Sequence, residues 1–131
     1  MSAEAAADLV RRYFEAVRTD HTRTAELYAP DATLHYLGTH LLAGVYRGPQ
    51  EILELFRRSR DAFRGTQRLE LHDVLASDLH TVALLIGSAG GRGGRRLEWR
   101  RAVVFHVLDG RIQEQWIHDS DQRALEEALA P

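Results

Sequence analysis

Residues 96–118 read RLEWRRAVVFHVLDGRIQEQWIH, and this stretch decides the fold. Two runs rich in β-branched and aromatic residues flank Asp109-Gly110, a pair suited to the positive φ angles of a tight hairpin turn. The spacing predicts strands from Arg96 to Val107 and from Arg111 to His118. Side chains alternate along a strand, so Trp99, Arg101, Val103 and Phe105 share one face and Ala102, Val104 and His106 the other.

Upstream, Arg68 to Ala76 and His80 to Ala89 read as two further strands, with breaks at Ser77-Asp78 and at Gly90 to Gly94. The glycine-rich tip is a surface loop without the strand-to-helix context of a phosphate-binding loop, so nucleotide binding is set aside. The N-terminal half is helical. From Ser2 to Arg18 the apolar residues Leu9, Val10, Tyr13, Phe14 and Val17 form one stripe. A short helix is expected from Thr22 to Tyr28, capped by threonine, and a strand from Asp31 to Leu37. Gly48-Pro49 opens a third helix that Gly65 stops, with Ile52, Leu53, Leu55, Phe56 and Phe63 buried. Arg57, Arg58, Arg60 and Arg64 crowd its C-terminal half, where the helix dipole favours cations. A last helix runs from Asp121 to Leu129, capped by Asp121 or Ser120. Helices followed by a meander of strands imply an α+β architecture: one domain over 1–131, with helices wrapped by a curved antiparallel sheet whose open end forms an apolar pocket.

Composition narrows the function. The 17 basic and 19 acidic residues are interspersed and leave a charge of −2, so neither a nucleic acid nor a membrane surface is an expected partner. The N-terminus lacks the features of a signal peptide, and a soluble, cytoplasmic protein is expected. There is no cysteine, no Gly-x-Ser-x-Gly and no His-Glu-x-x-His, and His35 and His40 are five apart around a loop. Neither a metal site, a cofactor nor a covalent nucleophile is expected.

Four segments carry a resemblance: Arg12-Tyr-Phe-Glu-Ala-Val17, Tyr28-Ala-Pro-Asp-Ala-Thr-Leu-His35, Leu42-Ala-Gly-Val-Tyr-Arg-Gly48 and Asp109-Gly-Arg-Ile-Gln-Glu-Gln-Trp116. Their order and spacing resemble the SnoaL-like proteins and, more distantly, ketosteroid isomerase. The resemblance implies the cone-shaped nuclear-transport-factor-2-like fold. It places Tyr13 at the first-helix tyrosine that donates to an enolate oxygen. Anchoring on Gly38 and Gly44 puts His35 at the general-base position; anchoring on Asp31-Ala32-Thr33 puts Tyr36 there. The glycine anchor keeps the loop spacing and is preferred. Val103 falls where the isomerase has a protonated aspartic acid, so steroid isomerisation is not expected. On the neighbouring strand the resemblance points Glu114, Trp116 and His118 inward.

The implied site casts His35 as base, Tyr13 as oxyanion donor and His118 as second acid or orienting partner. Tyr36, Tyr46, Phe56, Trp99, Arg101, Val103 and Trp116 form the substrate-binding set, with Arg101 as clamp for a carboxylate or phenolate. Histidine suits the task because its ordinary pKa of about 6.5 lies near neutrality. The expected reaction is cofactor-independent enolisation of a hydrophobic, oxygenated, polyketide-like or polycyclic molecule, followed by cyclisation or isomerisation. Each residue also has a plainer reading: Tyr13 as core, Arg101 paired with Glu114, Asp119 and Asp121 as caps. Two other functions compete. One is a non-catalytic binding or dimerisation module; the other is an epoxide hydrolase of the limonene type, whose Asp-Arg-Asp set does not stand out. Ala102, Val104 and Ile117 would offer a sheet face for a homodimer.

Overall fold

Ser2 starts the first helix, its Oγ accepting the Ala5 N–H at 3.1 Å, and α1 (Ala3–Thr19) buries Leu9, Val10, Tyr13 and Phe14 on one side. The computed structural model describes residues 1–131. The expected short helix is a 3₁₀ segment, His21–Leu27, and its cap is Asp20 rather than a threonine. Strand β1 (Tyr28–Tyr36) follows at once, beginning ahead of the expected start, and β2 (Gly44–Arg47) folds back on it. Four residues without apolar alternation gave β2 no signature in the sequence. α2 (Gly48–Ala62) begins with Pro49 in its first turn and ends before Gly65, whose φ of +70° turns the chain.

The remaining strands are β3 (Arg68–Ala76), β4 (Thr81–Gly90), β5 (Arg96–Leu108) and β6 (Arg111–Asp119), and α3 (Gln122–Leu129) closes the chain. Asp121 caps α3, accepting the Ala124 N–H at 3.0 Å. Asp109 and Gly110 both take positive φ, 52° and 76°, as the tight turn between β5 and β6 requires.

The sheet order is β2-β1-β6-β5-β4-β3. It is mixed rather than wholly antiparallel, because β1 lies parallel to β6 while every other pair is antiparallel. A parallel neighbour needs a long crossover, and here the whole chain between the first and last strands supplies it. Register shifts bend the sheet in β1 between Tyr28 and Thr33, in β3 at His72 and in β6 at Gln113. α1 crosses β3 and β4, α2 covers β1 and α3 meets β5. One contiguous core joins the helices to the strands they cover, and no helix is long and apolar enough to cross a membrane.

Candidate functional site

The wrapped face of the sheet and the helices enclose a cavity of about 260 Å³. α1 contributes Tyr13, Phe14 and Val17; α2 contributes Leu55, Phe56, Ser59 and Arg60; β5 and β6 contribute Arg101, Val103, Gln115 and Ile117. Burial orders them by depth. Tyr13, Tyr36, Arg101 and Gln115 are buried at the inner end, whereas Arg60 is exposed and His21, Ser59 and Gln67 are half-buried at the mouth. No aspartate or glutamate is among the lining residues.

Two polar groups converge at the inner end. In the first, Arg101 Nε donates to Asp119 Oδ1 at 2.7 Å and Nη2 donates to Asp119 Oδ2 at 3.2 Å and to the Tyr36 hydroxyl at 2.6 Å. Nη1 makes no bond within the protein. Burial disfavours the guanidinium's charge, and Tyr36 and Asp119 more than restore it, so its pKa is raised. Burial likewise pushes the Tyr36 phenol up to about 12, leaving it protonated near neutrality.

In the second, Gln115 Nε2 donates to Tyr13 Oη at 3.1 Å, Tyr28 Oη donates to Gln115 Oε1 at 2.6 Å, and the two phenols lie 2.9 Å apart. Tyr28 has one proton and two neighbours that can accept it. With that proton on Gln115, the Tyr13 proton is directed either to Tyr28 or to a guest in the cavity. Burial raises the pKa of both phenols, that of Tyr28 the further, so both remain neutral donors.

Of the expected site residues, Tyr13, Tyr36, Phe56, Arg101 and Val103 meet in this cavity. The other five do not. His35 faces the opposite side of the sheet, where its Nε2 lies 2.7 Å from Glu114 Oε2 and its ring stacks on Trp116 at 5.5 Å. The glycine anchor was therefore the wrong one, and Tyr36 is the β1 residue that points inward beside Arg101. His118 is exposed on the same outer face.

The reason is the register of the last hairpin: Arg101 pairs with Asp119, Val103 with Ile117 and Phe105 with Gln115, and directly paired residues share a face. Glu114, Trp116 and His118 consequently point outward, as a group. Arg101 is paired with Asp119 rather than Glu114, and Asp119 is an ion-pair partner rather than a cap. Ile117 is buried inward and offers nothing to an outer-face dimer.

Trp99 is inward but buried in the core, stacked on Phe63 at 6.2 Å and lying over Gly87, where an added Cβ would come within 2.6 Å of the indole Nε1. Tyr46 donates to the Leu42 carbonyl at 2.6 Å and does not line the cavity. Three residues that sequence reasoning passed over, Gln115, Tyr28 and His21, complete the site together with Asp119, which it read as a cap. His21 is the one imidazole lining the cavity and lies edge-on to Phe56 at 6.2 Å.

The chain matches the family model of the SnoaL-like domain over residues 10–115 and belongs to that family. Uncharacterized proteins Rv0034 of Mycobacterium tuberculosis and Mb0035 of Mycobacterium bovis are each 34% identical over 113 residues, 86% of either chain. Among solved structures, Bal32a from a soil-derived mobile gene cassette superposes with a TM-score of 0.87 at 31% identity, covering 97% of this chain and 98% of that one. IdmH of Streptomyces antibioticus, a proposed polyketide cyclase, shares the fold at a TM-score of 0.74 and 20% identity, with 95% and 97% of the two chains covered.

Proposed function

We propose that the cavity binds a hydrophobic, oxygenated small molecule and enolises it without a cofactor, leading to isomerisation or cyclisation. The observation that carries this reading is a buried, doubly anchored guanidinium with Nη1 unpartnered, lining the same cavity as Tyr13. A carbonyl oxygen held between these two donors would gain negative charge on loss of an adjacent proton, and preorganised donors stabilise that oxyanion most where water is excluded. With no carboxylate in the lining, His21, nearer the mouth, is the side chain that would take the proton, through one intervening water. SnoaL-like membership and the likeness to IdmH support a binding or cyclase role of this kind.

An epoxide hydrolase of the limonene type is less well supported, since it uses two aspartates about one arginine and Arg101 has only Asp119. The outer sheet face is proposed to meet a second copy. Val82, Leu84, Ile86, Ala102, Val104 and Trp116 are half-buried there without a covering helix, and Ala102→Arg should convert a dimer to a monomer in sedimentation equilibrium.

The test of the enolisation reading is exchange of the α-protons of tetralone, a bicyclic ketone, in deuterated buffer, followed by NMR. Protein-dependent exchange that His21→Ala abolishes supports it. Saturable binding without exchange would transfer the reading to a non-catalytic binding module.

A further inference from the structure

The charge at the two ends of the cavity differs, and the difference specifies a guest. At the inner end the charge of Arg101 is already met by Asp119, whose side chain is 0% exposed and whose two oxygens both accept from the guanidinium. A carboxylate placed there would be a second buried anion against a single cation, and burying an unpaired charge is costly. What Nη1 can take instead is a neutral acceptor, a carbonyl oxygen. At the mouth the balance is reversed. Arg60 makes no ion pair, although Arg57 on the same helix pairs with both Glu54 and Asp61. Its neighbours in the lining are His21, Ser59 and Gln67, with no carboxylate among them.

Volume sets the size. An apolar cavity of about 150 Å³ holds a single benzene ring, and drug-sized ligands occupy roughly 300–1,000 Å³. At about 260 Å³ this cavity accommodates two fused rings and is too small for four.

We infer that the guest is an oxo acid of one or two rings, its neutral carbonyl inward on Arg101 and its carboxylate outward on Arg60. This rests on the cavity being the binding site proposed above and adds the polarity, direction and size of what enters it. Arg60 is then a specificity residue: it selects for the acid end and leaves the carbonyl end untouched.

The experiment is calorimetric titration of the full chain with four probes: tetralone, tetralone carrying a carboxylate on the ring remote from the ketone, naphthoate without a ketone, and a tetracyclic ketone. Wild type, Arg60→Gln and Arg60→Lys are compared. The oxo acid should bind wild type about fivefold more tightly than tetralone, the scale of a partly exposed ion pair. That preference, taken as the ratio of the two affinities in each protein, should vanish in Arg60→Gln, persist in Arg60→Lys and weaken at high salt. Naphthoate should bind more weakly than the oxo acid, and the tetracyclic ketone should not bind.

Equal affinity of wild type for tetralone and the oxo acid, a preference that survives Arg60→Gln, or binding of the tetracyclic ketone would overturn the inference while leaving the cavity as a binding site. Absence of binding by every probe would overturn the cavity reading itself, and the inference with it.

Discussion

Arg101 and Asp119 are buried together, 6% and 0% exposed at the side chain, and joined by two bonds from adjacent strands at 2.7 and 3.2 Å. Breaking such a pair by removing one member strands the other as an uncompensated charge, whereas removing both does not. Asp119→Asn should therefore cost about 3–5 kcal/mol in urea unfolding, and Arg101→Met with Asp119→Leu far less. A double variant as unstable as the single one would show that the pair is not the source of the effect.

Tyr13 and Tyr28 share one hydrogen-bond network, but only Tyr13 lines the cavity. Tyr28→Phe should lower stability by about 1–3 kcal/mol, because Gln115 loses its partner in a dry site, with little change in ketone exchange. Tyr13→Phe should instead reduce exchange by about 10²–10³-fold, as expected when an oxyanion donor is removed. Equal effects of the two changes on exchange would remove Tyr13 from direct contact with substrate.

The two histidines separate by face. His35→Ala breaks a partly exposed pair with Glu114 and should cost no more than about 1 kcal/mol, leaving tetralone affinity and exchange as in wild type. His21→Ala should lower exchange by roughly 10²–10⁴-fold, the scale of a general base. Loss of exchange in His35→Ala with full activity in His21→Ala would reverse the assignment.

His40 makes stability fall with acid. Its ring lies edge-on to Tyr36 at 4.4 Å, and its Nδ1 accepts the Leu42 N–H at 3.2 Å, which requires the neutral form. Burial lowers its pKa from 6.5, opposed by Asp119 and Glu126 and assisted by Arg101. The unfolded chain thus binds a proton more readily than the folded one. The contribution is fully present above pH 6.5 and is lost as the pH drops from there toward the lowered folded value. The melting temperature of wild type should decline through this window, and His40→Asn should flatten the decline; an unchanged slope would acquit His40.

How much of this was legible in the sequence depended on phase. β4 and β5 pair in one unbroken register and burial alternates along them, so the two-residue period alone put Arg101, Val103 and Phe105 on one face. In β1 the alternation of Ala32, Leu34 and Tyr36 with Thr33 and His35 also carried the correct answer, and the glycine anchor overrode it. β6 was different. From the Asp109-Gly110 turn the partners are Leu108 with Arg111 and Val107 with Ile112, and an uninterrupted ladder would then set Trp116 opposite Val103 and His118 opposite Arg101. The bulge at Gln113 shifts the remainder by one residue, and a one-residue slip exchanges the two faces. No local propensity marks that residue. His21 was missed for another reason: it lies on a 3₁₀ segment whose irregular period hides which side meets the core.

The Gln113 bulge gives the last strand two alternative sets of side chains, an amide, an aliphatic and an acid on one parity, an acid, an indole and an imidazole on the other. Deletion of Gln113 would remove the bulge yet keep His106 opposite Glu114 and Phe105 opposite Gln115, so the inward set survives loss of the residue. Flattening the bulge with Gln113 retained would instead turn the second set inward, so it is the local backbone geometry, and not the residue types, that decides which chemistry faces the cavity.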